Sequence, residues 1–523
     1  MRYRTSFVLT TALLASSLAR PVFAQRNCEN LTKLNLPGVA VTSATPVAAG
    51  PFTLPYASAA AINVPAFCRV AATVLPEVNF ELWLPAQWNR KFIGVGNGGL
   101  AGAISYGAMA EPLRRGYAVS STDTGHVNAN PGDGTWAAGH MERVLNFGRR
   151  GVHLMTEASK AIVQAFYSAA PEHSYFSGCS DGGQQALTEA QKYPRDYEGI
   201  IAGDPANNWT RHYVGGHLWA MLATDGDSYI PASKVPVIAN AVNSACDALD
   251  GIQDGILNNP RLCHFDPAVL QCESGDGPSC LTSSQVAAVK KIWAGPRDKD
   301  GGQIYPGLLP GGESGPGGWM AWITGVEPGK SGHARLGLPV FQYFVFDNPN
   351  WDFHSFRFDK SAGFDSDVDY MDEKLGSYFN AVDPDLRPFQ LNHGKLIQYH
   401  GWSDPDISPL NSINYYQSVV DLTGRSKSDA LHETKDFYRL FMVPGMQHCT
   451  GGPGPSRFDT LTALEQWVEH GTAPDKIITS HVAADGSVDR TRPLCPYPQE
   501  AHWNGNGSAD DAANFVCALP AVP

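Results

Sequence analysis

The segment SYFSGCSDGGQQALTEAQKYP, Ser174–Pro194, decides how the chain is read. A short apolar run, SYFSG, gives way to a run of helix-forming residues, and the join is Gly178-Cys179-Ser180-Asp181-Gly182. G-x-S-x-G at a strand-to-helix turn is the pattern of a nucleophile elbow, in which a strained turn lifts a serine hydroxyl above a sheet. The cysteine pressed against that serine can be a second nucleophile, a packing residue or half of a disulfide, and the motif alone leaves the three open.

The flanking sequence supplies a sheet for such an elbow. KFIGVGNGG from Lys91 reads as a buried strand breaking into a glycine-rich turn, and GYAVSSTDTGH (116–126) as a second strand and loop. Leu145 to Tyr167 carries helical periodicity, and YEGIIAGDP (197–205) is the next strand. Strands nearly continuous in apolar residues and alternating with helices predict a mostly parallel, doubly wound α/β sheet covered on both faces. The rhythm stops over 206–388, where Cys/Asp-rich, Gly/Pro-rich (306–318) and aromatic-rich stretches follow one another. It resumes with GKLIQYHGWSD (394–404), DFYRLFMVPGMQHC (436–449) and the helix TLTALEQWVEHG (460–471). The expected architecture is an α/β-hydrolase domain in two parts, 25–205 and 389–523, interrupted by an inserted lid over 206–388.

Bulk properties narrow the function classes. The chain has 523 residues and a formal net charge of −13, with no stretch basic enough to follow a phosphate backbone, so nucleic acid is not an expected partner. The N-terminus combines Arg2 and Arg4, a short apolar run and Val22-Phe23-Ala24, and reads as a signal peptide over 1–24. That run is too short for a membrane span, and no membrane association is expected. A secreted or periplasmic protein is the expectation, and ten cysteines, all beyond Ala24, suit disulfides in such a compartment.

A serine hydroxyl needs a base, and the base needs an orienting acid. In chain order these follow the nucleophile as Asp or Glu and then His, on loops after successive strands. Asp404 follows KLIQYHG, with Asp406 a rival two residues on, and His448 follows FYRLFMV. Taken singly, most strand-end aspartates only cap helices and most histidines merely pack; order and placement together carry the assignment Ser180, Asp404, His448. The amides of Asp181 and of Gly99, in GNGGLAG, are the expected oxyanion donors. His448 is followed by Cys449 as Ser180 is preceded by Cys179. A bond between those cysteines would pin nucleophile and base side by side.

These residues resemble the tannase/feruloyl esterase family of secreted serine esterases. The resemblance spans WNRKFIGVGNGGLAG, FSGCSDGG, CDALDGIQDGI, YHGWSDPDISP, VPGMQHCTGGPG and RTRPLCPYP. It implies an α/β-hydrolase fold with a large lid, the three catalytic roles given above, and the pairs Cys28–Cys68, Cys179–Cys449, Cys246–Cys263, Cys272–Cys280 and Cys495–Cys517. In the stretch Asp247–Ile256, three carboxylates within eight residues would repel unless a cation binds, and hard oxygen donors suit Ca2+; a solvated acidic loop is the plain alternative. The family's structural calcium places Asp247, Asp250 and Asp254 as side-chain ligands and Ile252 and Ile256 as carbonyl ligands; no organic cofactor is implied. Trp319, Trp322, Phe341, Tyr343, Phe344, Phe346, Trp351 and Phe353 are expected to form the lid core, with some facing a flat aromatic substrate.

The implied activity is hydrolysis of a small aromatic ester, a feruloyl ester in the first place, carried on a plant cell-wall sugar. Galloyl esters and monoesters of terephthalate-like diacids are the alternatives. A non-catalytic, calcium-dependent binding module is the reading from a different class.

Overall fold

The computed structural model describes residues 27–55, 61–100, 102–128, 130–359, 366–424 and 426–520. The expected signal peptide lies outside them. A nine-stranded sheet organises the chain: β1 (Val39–Val47), β2 (Phe67–Val74), β3 (Val78–Pro85), β4 (Lys91–Val95), β5 (Ala118–Thr122), β6 (His173–Cys179), β7 (Gly199–Gly203), β8 (Lys395–Gly401) and β9 (Tyr438–Val443). Their spatial order is β1-β2-β3-β5-β4-β6-β7-β8-β9. The first three pairings are antiparallel and the remaining five parallel. The sheet is therefore mostly parallel, as the apolar runs predict. Its antiparallel part is the N-terminal end, where β2 and β3 form a hairpin, β1 pairs with β2 across a longer connection, and β5 returns to β3 after β4.

Both faces of the parallel part are covered. On β6, Phe176 enters one apolar cluster, with Met155, Ile162 and Phe166 of helix α1 (Gly151–Tyr167). Its neighbour Tyr175 points the other way, toward Leu464 and Trp467 of α3 (Thr460–His470). Alternation along a strand puts adjacent residues on opposite faces, so a strand buried on both sides must be apolar throughout. The helical periodicity expected from Leu145 begins earlier. A short helix covers Met141–Leu145, and a π-turn at Asn146–Arg150 joins it to α1.

The segment between β7 and β8 contributes no strand to this sheet among the described residues. It is built of short helices around two apolar cores. One contains Trp209, Val340, Phe341, Phe344, Trp351 and Phe379, the other Ile238, Val289 and Trp319. The first also takes in Leu100, Trp136 and Phe147 from the N-terminal part, which fastens the insertion over the sheet. No helix among the described residues is long and apolar enough to cross a membrane.

Candidate active site

Four neighbouring parallel strands end on the same side, and the loops that leave them carry Ser180 (after β6), Asp204 (after β7), Asp404 (after β8) and His448 (after β9). Crevices outside the carboxyl ends of parallel strands are where open α/β sheets place their ligands.

Ser180 joins β6 to α2 (Asp181–Lys192) with φ 66° and ψ −122°, a conformation that costs a non-glycine residue about 1–3 kcal/mol. The surroundings hold it there. The Ser180 amide donates to the Gly203 carbonyl (3.0 Å), and the Ser180 carbonyl accepts from the amides of Gly183 (3.0 Å) and Ala206 (3.1 Å). Close packing fixes the two motif glycines. A Cβ on Gly178 would lie 2.4 Å from the Gly182 carbonyl oxygen, and one on Gly182 would lie 2.8 Å from that of Asn97.

The Cys179–Cys449 disulfide brings the Cα atoms of these two residues to 6.0 Å, so the elbow and the histidine loop are cross-linked directly beside Ser180 and His448. The other bridges join Cys28 to Cys68, Cys246 to Cys263, Cys272 to Cys280 and Cys495 to Cys517. The cysteine next to the serine is a cross-link and not a second nucleophile.

His448 presents Nδ1 to Asp404 Oδ2 at 2.8 Å. Asp404 is buried, and its Oδ1 accepts from the amides of Asp406 (2.8 Å) and Ile407 (3.1 Å). Burial works to raise its pKa, yet the facing imidazoles of His448 and His400 hold it well below the usual carboxylate range. Burial opposes charge on His448, but the carboxylates of Asp404 and Asp406 outweigh it and raise the imidazole's basicity. Asp406 occupies a different position from Asp404. Its Oδ2 lies 3.5 Å from His448 Nε2, and its Oδ1 faces His217 Nε2 at 3.0 Å. Asp404 thus stands where an orienting acid must stand, and Asp406 at the nitrogen that would face the serine.

The two residues expected to donate to an oxyanion lie on different elements. Asp181 is the first residue of α2, where helix geometry leaves amides without an intrahelical acceptor. Gly99 is left-handed (φ 60°), with its neighbour Leu100 tied to the Pro131 carbonyl. The Asp181 side chain is buried, and burial pushes its carboxyl up to about 8 against the hydrogen bond from Gln185.

Several residues here escaped the sequence reading. His400 backs Asp404, with Nε2 at 3.3 Å from Oδ2 and Nδ1 at 2.7 Å from Ser412 Oγ. Asp204 accepts from the Gly401 amide (2.8 Å) and lies 3.4 Å from Cys179 Sγ; burial raises it to about 7. Its only sequence signal is its place after a buried strand. From the insertion, Trp322 sets its ring edge-on to His448 at 5.1 Å, while Trp319, Phe341, Phe344 and Trp351 are buried. The Gly/Pro-rich stretch presses on the catalytic loops: Ser408 Oγ donates to the Gly307 carbonyl, and Gln447 Nε2 to that of Ser314.

The acidic stretch forms a compact loop. Gly251 and Gly255 are left-handed (φ 88° and 78°), and Asp247 Oδ1 accepts from the amides of Asp254 (3.2 Å) and Gly255 (2.9 Å). Asp250, Ile252, Asp254 and Ile256 line a cavity of about 20 Å³, room for one small occupant. Burial, reinforced by the charges of Asp254 and Asp247, pushes Asp250 up to about 6, as expected of carboxylates crowded without a full counter-charge. Arg492 already donates to Asp254 Oδ2 (2.6 Å), so a cation here would share that carboxylate. The donors of this loop are all oxygens, the kind a hard cation takes, though Asp247 stands outside the lining of the cavity.

Comparison with known proteins places the whole chain. The model of the family described as "Tannase and feruloyl esterase" matches residues 61–518. An uncharacterized esterase of Xanthomonas campestris pv. campestris is 40% identical, over 98% of this chain and 94% of its own. A mono(2-hydroxyethyl) terephthalate hydrolase of Piscinibacter sakaiensis is 34% identical, over 89% and 87%. The crystal structure of feruloyl esterase B from Aspergillus oryzae superposes with a TM-score of 0.83 at 28% identity, covering 94% of this chain and all of that one. With the elbow, the acid–histidine pair and the sheet that carries them, these likenesses show that the chain belongs to the tannase and feruloyl esterase family and is a carboxylic-ester hydrolase of α/β-hydrolase fold.

Proposed function

We propose that the protein hydrolyses esters of hydroxycinnamic acids, feruloyl esters above all, through an acyl-enzyme on Ser180. The observation that carries this reading is the edge-on Trp322 ring over a histidine whose Nδ1 is held by Asp404. A flat aromatic acyl group can pack against that ring next to the base. In the proposed sequence Ser180 Oγ attacks the ester carbonyl while His448 takes its proton, and the amides of Asp181 and Gly99 receive the developing oxyanion. His448 then protonates the departing alcohol, and a water molecule repeats the steps to release the acid. A sugar-borne ester in plant cell wall is the natural form of such a substrate.

The 34% identity to a mono(2-hydroxyethyl) terephthalate hydrolase favours a second reading, a monoester of an aromatic diacid. Initial rates on methyl ferulate, methyl gallate and mono(2-hydroxyethyl) terephthalate separate the readings. The largest kcat/KM is expected for methyl ferulate, and a preference of tenfold or more for either of the others would replace the first reading. Activity on none of the three, with no labelling of Ser180 by a fluorophosphonate, would favour a binding module.

The proposal extends to two accompanying features. Asp247, Asp250 and Asp254, with the carbonyls of Ile252 and Ile256, hold a structural Ca2+ in the insertion; the support is the crowding of three carboxylates in one loop, two of them on a small cavity. The protein acts outside the cytoplasm, and five disulfides support that placement.

A further inference from the structure

A second polar cluster adjoins the active site at Asp406 and is built mostly from residues of the insertion. His212, His217, His333 and Asp406 are each at most 2% exposed. His217 Nε2 lies 3.0 Å and His333 Nε2 3.3 Å from the same Asp406 oxygen, Oδ1. Nitrogen and oxygen donors of His212, His217 and Asp406 all fall within 4.8 Å of one another. Adjacent ligands about 2.0–2.1 Å from a tetrahedral ion stand about 3.3 Å apart, so the spacings around Asp406 Oδ1 match the edges of such a site.

The backbone is shaped to produce this convergence. Five residues along an α-helix turn a side chain about 140° away from its starting direction. Between His212 and His217 the helix instead makes a π-turn, Tyr213–Leu218, which brings residues five apart onto one face and is a rare feature concentrated at functional sites. Glycines leave room for the rings. A Cβ on Gly216 would approach His212 Nδ1 to 3.1 Å, and one on Gly337 would come within 2.9 Å of His217 Cβ.

A purely structural Asp–His pair leaves this arrangement unexplained. Nδ1 of His212, of His217 and of His333 has no hydrogen-bond partner among the described residues, and His333 Nε2 has only the Asp406 oxygen at 3.3 Å. An unsatisfied buried polar group costs about 1–3 kcal/mol. Three buried imidazoles gathered on one carboxylate form instead a donor set suited to a borderline-soft divalent cation.

We propose that His212, His217 and Asp406, with His333 beside them, form a transition-metal site of the zinc type, separate from the acidic loop at Asp247–Ile256. The remaining oxygen of Asp406 lies 3.5 Å from His448 Nε2, so the ion would sit one carboxylate away from the active-site base.

The test uses the full chain in excess Ca2+, which fills carboxylate-only sites. Zn2+ uptake is measured by calorimetry and by elemental analysis after dialysis, and Co2+ is added as a visible-absorption probe of tetrahedral nitrogen and oxygen ligation. One Zn2+ per chain and a tetrahedral Co2+ spectrum are expected. His217→Gln and Asp406→Asn should each lower the affinity by about tenfold to a hundredfold or more. His432→Gln, at an exposed histidine remote in sequence from all four residues, should not change it. Circular dichroism identifies any variant that fails to fold, in which case the other variant decides. Zn2+ uptake by the parent no greater than by Asp406→Asn, an octahedral Co2+ spectrum, or equal loss in His432→Gln would each overturn the proposal.

Discussion

At the scale of single residues, the two aspartates of the β8 loop differ in which histidine nitrogen each one faces. Asp404 holds Nδ1, and with it the tautomer that leaves Nε2 free to accept a proton. Ser180→Ala is therefore expected to lower kcat by about four orders of magnitude or more, and Asp404→Asn to approach that loss because it disturbs the tautomer. Asp406→Asn should cost less. Steady-state kinetics on one aromatic ester checks all three; a crippled Asp406→Asn beside a nearly normal Asp404→Asn would exchange the two roles. A further residue-scale prediction concerns the Asp181 carboxyl, raised by burial to about 8. An unfolded aspartate releases its proton near pH 3.9. Between about pH 4 and 8 the folded state thus keeps a proton that the unfolded state has lost, and stability falls as pH rises. Asp181→Asn retains the backbone amide and removes this term, so its melting temperature relative to the parent should climb from pH 5 to pH 8. A pH-independent difference would mean that the carboxyl is not held neutral.

At the scale of elements, the site depends on how rigidly the β6–α2 elbow and the loop after β9 are held together. The bridge Cys179–Cys449 spans a sequence separation of 270, and the chain-entropy model assigns it a stabilisation on the order of 5 kcal/mol. Its local effect should be larger in proportion, because near-attack geometry is sensitive to shifts of about 1 Å. Replacing both cysteines with alanine is expected to reduce kcat more than it raises KM, even well below the melting temperature. Peptide mapping without reduction must recover the FSGCSDGG and PGMQHCTGG segments as one linked pair. Recovery of Cys179 in alkylated form would remove the cross-link from the account of the site.

At the scale of the whole molecule, the acidic loop ties the insertion to the C-terminal part of the chain. Asp254 accepts from Arg492 on the strand Val488–Leu494 and lies 3.5 Å from Arg490, while Asn259 and Arg261 reach Glu500 on the next hairpin. A cation that binds only this folded arrangement stabilises the entire chain by mass action. Chelation is accordingly expected to lower the melting temperature by several degrees, and Asp250→Ala to reproduce that loss without chelator. Protein free of bound calcium and equally stable in chelator would remove the ion from the loop.

Much of this was legible in the sequence because it is encoded locally. A nucleophile elbow needs glycine at fixed offsets from the serine, and a strand buried on both faces needs a continuous apolar run. Both requirements can be read from neighbouring letters, so the parallel strands and the positions of Ser180, Asp404 and His448 followed from short stretches. The five disulfide pairings were reached by resemblance, since cysteine spacing alone does not fix pairing. Other features depend on contacts between distant parts of the chain. Asp404 and Asp406 are two letters apart and chemically identical, and only the loop's path puts one on Nδ1 and the other near Nε2. Trp322 has the same letter as Trp319, but packing sends one to His448 and the other into the insertion's core. His212, His217 and His333 carry no shared motif, since a π-turn and a separate helix bring them to Asp406. The sequence by itself determined which chemistry the chain can perform, because that chemistry rests on local geometry; tertiary structure alone decided which equivalent side chains take part, because that choice rests on packing between segments nearly two hundred residues apart.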